Sequence, residues 1–188
     1  MNMKHLIGIY IGMGIAGLGV SLVWHTGATA IYSIMVKGPS LILVYAITPG
    51  SWLRFFVTFM INMFMATLLA VGLMLVWDWR VTIPVLSFNV GQNGFALGIF
   101  GGLAAQKYGA VATAGAFLTH GVPELTSYFI ACGACLYGLA QLRGTKGANM
   151  VEILKRNSKI ILEMCLPLLL LAAVLETFIS PMILAAGV

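Results

Sequence analysis

The sequence contains few charged residues. Only 8% of its 188 residues are charged, whereas 61% are hydrophobic. Soluble domains carry roughly 25% charged residues, so this chain lacks the polar side chains that cover a water-facing surface. A soluble fold would leave a large apolar patch open to water, and such patches favour aggregation. The composition excludes an ordinary soluble domain and predicts an all-α, polytopic membrane protein surrounded by the lipid bilayer.

The sequence also lacks the short motifs of common enzymes. It contains no P-loop, dinucleotide fingerprint, HExxH pair or nucleophile elbow. The segments between the apolar runs are short, which leaves no room for a soluble catalytic domain. We therefore expect no enzymatic activity, no cofactor and no metal ion.

Cysteine is scarce as well. Cys132, Cys135 and Cys165 all lie in apolar runs, and an odd number cannot pair completely, so no disulfide framework is predicted. Cys132 and Cys135 form a CxxC pattern, but a zinc or redox role needs further ligands or a thioredoxin-like context. We interpret both as small packing residues.

Five apolar runs are long enough to cross a bilayer, which takes about 20 residues. We predict spans at about 6–24, 55–77, 83–105, 123–142 and 160–181. The first run resembles a secretory signal, but it is longer than the about 7–15 apolar residues of a signal core. The whole chain is thus predicted to form one integral membrane domain.

Two further apolar stretches are too short or too broken for a normal span. Residues 28–48 are interrupted by Lys37-Gly38-Pro39, and residues 109–119 end before Gly121 and Pro123. We predict one or two re-entrant or interfacial half-helices in these stretches. The fourth full span would then begin after the break, at Pro123.

Basic residues outnumber acidic ones and give a net charge of +5. They lie between the apolar runs rather than along one stripe, so we expect contact with anionic lipid and not with nucleic acid. The predicted loop at 143–159 is strongly basic, which places it in the cytoplasm. We therefore predict a cell-membrane protein with its N-terminus inside and its C-terminus outside. The basic residues beyond this loop divide into Lys4 and Arg80 inside, and Lys37, Arg54 and Lys107 outside.

Gly94, Gly98 and Gly102 recur every four residues on the third predicted span. Small residues on one face let helix backbones approach closely in lipid. We expect this face to pack against another helix of the same chain. The alternative is the seam of a homodimer.

The most informative cluster is His-Gly-Val-Pro-Glu at 120–124. If Pro123 begins a helix, Glu124 lies in the first turn, near the positive end of the helix dipole. If the helix instead runs through, His120 and Glu124 share one face at i, i+4. An ionisable side chain inside a membrane is costly and is a functional hypothesis by default. The alternative is a helix cap with a structural ion pair.

Amide side chains accompany this cluster. Asn89 and Asn93 lie near the start of the third predicted span, and Asn62 lies within the second. Their plainer role is hydrogen bonding between helices. The same amides could line a polar cavity with His120 and Glu124.

Glu176 is a further carboxylate in an apolar run. It follows Glu163 by roughly 20 Å of helix, so we place Glu163 near the cytoplasm and Glu176 near the outer interface. The candidate polar site comprises Asn62, Asn89, Asn93, His120, Glu124 and Glu176.

Taken together, these residues resemble the stage II sporulation protein M family of integral membrane proteins. The resemblance covers about 55–181, and its most specific element is the His-Gly pair with Glu124, followed by a helix of small residues. The cysteines at 132 and 135 stand where the family usually has small residues, which agrees with their packing role. The positions that carry the resemblance are Asn62, Asn93, Gly94, Gly98, His120, Gly121, Glu124, the Ala-Cys-Gly-Ala run at 131–134, and the Glu-Thr-Phe-Ile-Ser-Pro run at 176–181.

The resemblance implies a helical membrane protein without enzyme activity, and two functional hypotheses follow. In the first, the protein is a scaffold that organises other membrane or envelope proteins, and its polar residues fix helix packing. In the second, it is a transporter or channel component whose polar residues line a site for an ion, a proton or a small polar substrate. Convergence of His120, Glu124 and Asn93 on a cavity would favour transport. Locking of each side chain by a neighbouring helix would favour the scaffold.

Overall fold

The computed structural model describes residues 2–36, 50–76, 78–144 and 149–186, and only the backbone of residues 32–36. Regular structure in these ranges is entirely helical, which confirms the all-α fold class. The helices in these ranges are α1 (Met3–Val23), α2 (His25–Val36), α3 (Trp52–Leu75), α4 (Trp79–Tyr108), α5 (Ala110–Gly144) and α6 (Met150–Ala185).

Within the described ranges, four helices are long and apolar enough to cross a membrane: α1, α3, α5 and α6. Their outward faces are apolar, as lipid contact requires; Ile15 is 66% exposed and Leu118 is 65% exposed. The polytopic prediction is thereby confirmed. Helix α4 is 30 residues long but is less apolar, because it carries Asn89, Gln92 and Asn93. The predicted span at 83–105 therefore stays a prediction.

Helix α4 packs along α1 through its glycines. The two helices run parallel, since residues later in α4 contact residues later in α1. At each contact a Cβ atom on the glycine would collide with α1, so only glycine permits this approach. The distances from such a Cβ atom are 2.3 Å to the Tyr10 carbonyl oxygen for Gly94, 2.0 Å to the Gly14 carbonyl oxygen for Gly98, and 1.7 Å to the Ser21 hydroxyl oxygen for Gly102.

The glycine face is thus occupied within the chain. Beyond it, the Gln106 side-chain amide donates to the Ser21 carbonyl oxygen at 3.0 Å, which extends the α1–α4 contact toward the end of both helices. The homodimer alternative therefore cannot use these three glycines as its seam.

Helix α5 is continuous from Ala110 to Gly144. The predicted half-helix at 109–119 and the separate span at 123–142 are therefore one helix, and the predicted break before Pro123 is wrong. Pro123 leaves the Thr119 carbonyl without its usual helical donor. If the chain left the helical conformation here, more backbone N–H and C=O groups would lack hydrogen bonds in the hydrocarbon. A membrane helix therefore tolerates the proline. The chain breaks instead at Gly109, whose φ of +84° ends α4 and suits glycine.

Helix α6 begins earlier than predicted. Its first residue is Met150, and the Asn149 side chain caps it by accepting from the Val151 amide at 3.0 Å. The predicted loop at 143–159 is therefore mostly helical, because α5 extends to Gly144 and the basic residues after 150 occupy the polar side of a helix. The high charge of residues 143–159 is typical of a loop, but it is equally typical of a helix that extends out of the membrane.

Two π-helical turns interrupt α6, at Ile161–Cys165 and Leu175–Ile179. They precede Pro167 and Pro181, whose missing N–H groups disturb the regular hydrogen-bond ladder. Wide turns of this kind often occur at functional sites. The second turn carries Glu176.

Helices α3, α5 and α6 pack on one another, and α4 joins α1 to them through α5. The Trp52 ring lies 5.2 Å from the Phe178 ring, so α3 begins beside the last part of α6 and runs antiparallel to it. At the opposite end, the fully buried Asn157 of α6 donates to the Ala70 carbonyl oxygen of α3 at 2.8 Å and to the Ala134 carbonyl oxygen of α5 at 3.3 Å. One side chain therefore ties three helices together.

The predicted half-helix at 28–48 is described only in its first part. Helix α2 covers His25–Val36 and contacts α1 and α4. Residues 37–49, with Lys37, lie outside the described residues.

Candidate functional site

The uninterrupted course of α5 determines which side chains share a face. His120, Glu124 and Tyr128 recur every four residues, and this spacing aligns them along one side of a helix. Of the two geometries that the sequence allowed, the structure has the one in which His120 and Glu124 lie at i, i+4.

Glu176 of α6 meets this face. One imidazole nitrogen of His120 and one carboxylate oxygen from each of Glu124 and Glu176 lie within 4.8 Å of one another. All three side chains are half-buried. The π-helical turn at Leu175–Ile179 lies at this level of α6. Three ionisable side chains thus converge inside the helical bundle.

The imidazole of His120 is held by two neighbours. Its Nδ1 atom lies 2.8 Å from the Ala116 carbonyl oxygen and 2.8 Å from the Ser180 hydroxyl oxygen. The Ser180 hydroxyl itself donates to the Ala116 carbonyl at 3.1 Å. Because a carbonyl oxygen can only accept, the network assigns the proton of a neutral ring to Nδ1. The Nε2 atom then carries the free lone pair.

A cavity of about 250 Å³ lies beside this cluster, and we call it the histidine cavity. It is bounded by His120, Glu124, Glu176 and Ser180, and by Arg54 and Asn62 of α3. Arg54 interacts electrostatically with Glu176. The sequence placed Arg54 among the outer basic residues, whereas the structure adds it to the polar cluster.

A second cavity of about 650 Å³, the amide cavity, lies between the α1–α4 pair and the rest of the bundle. Asn89 and Asn93 of α4 line it together with Tyr128. Asn62 and Glu124 line both cavities, which makes them the boundary between the two. The predicted site is therefore divided, because His120 and Glu176 line one cavity and Asn89 and Asn93 the other.

A hydrogen bond joins α5 to α3 at this boundary. The Tyr128 hydroxyl donates to the Asn62 side-chain oxygen at 2.9 Å. Glu124 lies close enough to Tyr128 to interact with it electrostatically. The three side chains thus meet between the two cavities.

The amides of α4 are bonded locally. The Asn93 side-chain nitrogen donates to the Asn89 carbonyl oxygen at 2.9 Å and to its side-chain oxygen at 3.1 Å. Asn93 is exposed and Asn89 is half-buried. Neither is locked by another helix through a hydrogen bond among those described.

The polar groups lie deep along their helices. Asn62, Asn93 and Glu124 each fall toward the middle of α3, α4 and α5. The sequence placed Asn89 and Asn93 near the start of a span because it began that span at 83, whereas α4 begins at Trp79. The histidine cavity extends from this level toward the start of α3, because Arg54 is the third residue of that helix.

Four residues of the site were not in the predicted set. Tyr128 and Ser180 lie four residues after Glu124 and Glu176, so helical spacing on the same face would have indicated both. Arg54 and Thr58 lie eight and four residues before Asn62, so the same spacing would have placed both on the face of α3 that lines the histidine cavity. The three cysteines are free and buried in the core.

Comparison with known proteins gives one family. A family model described as Stage II sporulation protein M matches residues 5–181, which is nearly the whole chain. No curated protein and no solved structure shows a significant match.

Proposed function

The chain belongs to the stage II sporulation protein M family, and from this premise we propose that it is a non-enzymatic membrane subunit that carries a small cation or a proton. The carrying groups are those of the histidine cavity and its boundary with the amide cavity. The family assignment and the apolar helices support a membrane protein. Transport is supported by His120 and Glu124, which share a cavity, whereas Asn93 lines the neighbouring cavity, which Glu124 also lines.

The observation that carries this proposal is the convergence of His120, Glu124 and Glu176 within 4.8 Å beside a cavity. Ionisable side chains inside a membrane are costly, and they commonly mark ion pathways and proton relays. An ion site built where a helix departs from regular geometry, as α6 does at Leu175–Ile179, is a common arrangement in transporters.

The proposed topology has five crossings, with the N-terminus in the cytoplasm and the C-terminus outside the cell membrane. Helix α4 accompanies α1 over most of its length, so a crossing by α1 supports a crossing by α4. Near the proposed inner end, the Arg143 guanidinium lies 4.5 Å from the Trp79 ring centre. At the other end, the Lys107 ammonium lies 4.8 Å from the Tyr108 ring centre, and both contacts suit the two interfaces.

A flux assay tests the proposal. The full-length protein is reconstituted into liposomes, and uptake of protons, alkali cations and divalent cations is followed with internal dyes. We expect flux of at least one of these ions, and we expect Glu124→Gln to abolish it. Glu163→Gln is the matched control, because Glu163 is an exposed carboxylate of α6 in an ion pair with Lys159 and lies outside both cavities. Liposomes that transport none of these ions would contradict the proposal.

The second candidate is a scaffold for other membrane or envelope proteins, and an exposed amide favours it. Gln92 is exposed near the middle of α4, at the open side of the amide cavity, where lipid tails offer no hydrogen-bond partner. A polar residue from another transmembrane helix would satisfy its amide. Under this hypothesis the protein holds partner subunits on the α4 side of the amide cavity.

Crosslinking tests the scaffold. A photoreactive amino acid placed at Gln92 in native membranes should form adducts with other proteins, while the same probe at Ile15, on the lipid-facing side of α1, should not. Adducts that contain only a second copy of this chain would contradict a scaffold for other proteins.

A further inference from the structure

We propose that His120, Glu124 and Glu176 form a binding site for a divalent first-row transition-metal cation. The inference rests on the proposed function, because it names the chemical class of the ion that the transport site would take. The sequence pattern predicted no metal site, since the third ligand comes from a distant part of the chain.

The donor set selects the class of ion. One imidazole nitrogen with two carboxylates suits Zn²⁺, Mn²⁺, Fe²⁺ or Co²⁺, whereas Mg²⁺ and Ca²⁺ prefer oxygen ligands alone. The ligand atoms lie within 4.8 Å of one another, and tetrahedral zinc ligands at about 2.1 Å would be about 3.4 Å apart. Binding would therefore require the two Glu side chains to rotate toward the imidazole.

His120 is prepared for metal binding by its own hydrogen bonds. Ala116 and Ser180 hold Nδ1, which leaves the Nε2 lone pair for the ion. Metal-binding histidines usually donate their second N–H to a carbonyl or a carboxylate, which fixes the ring orientation and its tautomer. The contact with Ala116 is of this kind.

Two unpartnered polar groups beside the cluster are an independent indication of a ligand. The Thr58 hydroxyl and the Asn62 side-chain nitrogen have no hydrogen-bond partner among the described residues, although their residues are only 4% and 7% exposed. Both residues line the histidine cavity. Buried polar groups rarely go unsatisfied, and water molecules carried by a bound metal ion would satisfy both.

The charge of the cavity agrees with a cation. Glu124 and Glu176 supply two negative charges when ionised, and Arg54 supplies one positive charge. A carboxylate pair in a membrane interior is costly unless it is paired or coordinates a metal. Arg54 offsets one of the two charges, so a cation is still attracted.

A binding experiment tests the site without measuring transport. Metal-free, full-length protein in mild detergent is titrated with ZnCl₂ by calorimetry, with MgCl₂ as the comparison. We expect one Zn²⁺ per chain and no measurable competition by Mg²⁺. We expect His120→Gln and Glu176→Gln to weaken Zn²⁺ binding by more than the roughly 10–100-fold that loss of an outer-sphere partner costs. Glu163→Gln should bind Zn²⁺ as the unmodified protein does.

Each variant is checked by gel filtration, and a second measurement covers variants that do not fold. X-ray absorption of the zinc-loaded unmodified protein should show only nitrogen and oxygen ligands, at about 2.0–2.2 Å. Absence of zinc binding, or binding that survives loss of His120 and Glu176, would overturn the proposal. Sulfur ligands at about 2.3 Å would overturn it too, because they would place the ion on Cys132 and Cys135.

The outcome separates this inference from the proposed function. Zinc binding by a protein that transports no ion would retain the metal site and reject transport. Proton or alkali-cation flux by a protein that binds no zinc would retain transport and reject the metal site.

Discussion

The Ser180 hydroxyl oxygen and the His120 Nδ1 atom lie 2.8 Å apart and join α6 to α5 at the level of the ionisable cluster. Ser180 is 5% exposed and stands directly before Pro181. The contact therefore couples the orientation of the imidazole to the part of α6 that follows the second π-helical turn.

Replacing Ser180 tests this coupling. Ser180→Ala leaves His120 bonded to the Ala116 carbonyl oxygen, so we expect the free energy of unfolding to fall by only about 1 kcal/mol. Zinc affinity should fall by about tenfold, because the ring loses one of the two contacts that orient it. Calorimetry and denaturant titration measure the two effects. Thr126→Ala, on an exposed face of α5, should change neither, and an unchanged zinc affinity for Ser180→Ala would contradict the coupling.

Arg54 should oppose binding of a cation. Arg54 interacts electrostatically with Glu176 and carries a positive charge, so Arg54→Gln removes a repulsive charge from the histidine cavity. We expect zinc affinity to rise severalfold and proton or cation flux to change in rate. Lys107→Gln is the matched control, since it removes a charge at the same proposed membrane interface but outside the cavity. A weaker affinity in Arg54→Gln would instead indicate that Arg54 positions Glu176.

Substitutions of Tyr128 and Asn62 distinguish two roles for this hydrogen-bonded pair, one in helix packing and one in the function of the polar site. Tyr128→Phe removes the donor to the Asn62 oxygen and leaves a buried amide, so we expect a loss of roughly 1–3 kcal/mol of unfolding free energy. Asn62→Leu with Tyr128→Phe removes both partners and should be close to the unmodified protein in stability, because no polar group remains unsatisfied.

Flux of the double variant then decides between the two roles. A stable double variant without flux supports a function for the pair in the polar site. A stable double variant with normal flux would show that the pair serves packing alone.

The glycine contact between α4 and α1 can be tested with Gly98, which lies in the contact, and Gly101 of the same helix, which does not. A Cβ atom on Gly98 would meet two backbone atoms, the Gly14 carbonyl oxygen at 2.0 Å and the Leu18 nitrogen at 2.7 Å, so the helices must separate. We expect Gly98→Ala to destabilise the protein by about 2 kcal/mol. Gly101→Ala has open space and should be neutral or slightly stabilising, because alanine favours helix. Thermal unfolding in detergent compares them, and equal midpoints would contradict the contact.

The sequence predicts the membrane class and most helices because apolar length is a local property. The prediction of a break at Pro123 is wrong because leaving the helix is cheap only in water, where solvent can bond to the exposed backbone. Inside a bilayer the exposed backbone would meet hydrocarbon, which costs more than one lost hydrogen bond. The continuous helix α5 follows from this difference in solvent.

The site was only partly predictable, because some of its contacts join residues that are distant in the sequence. His120 and Glu124 share a helix, and their spacing alone gives the geometry that α5 has. Glu176 and Arg54 reach the same cavity through the packing of α6 and α3, and no local pattern encodes that contact. The charge of Arg54 predicts which side of the bilayer its segment faces, but it does not predict which side chains Arg54 contacts.

The last prediction concerns Asn157, which lies outside the predicted site. Its side-chain nitrogen donates to the Ala70 carbonyl oxygen of α3 and the Ala134 carbonyl oxygen of α5, and the residue is fully buried. Ala70 lies in the π-helical turn Leu68–Gly72, where the altered ladder leaves carbonyl groups in need of donors. Asn157 thus compensates for irregular backbone in another helix.

Asn157→Ala should lower the free energy of unfolding by roughly 1–3 kcal/mol, because it leaves both carbonyl groups without this donor. Asn157→Asp should be worse, although its shape is nearly the same, because an ionised carboxylate only accepts and would face two carbonyl oxygens. Ser158→Ala, at the exposed neighbouring position, should stay within about 0.5 kcal/mol of the unmodified protein. Titration with a denaturing detergent, followed by circular dichroism, ranks the three variants. If the Asn157→Asp variant were as stable as the unmodified protein, donation from Asn157 to α3 and α5 would not hold the bundle together.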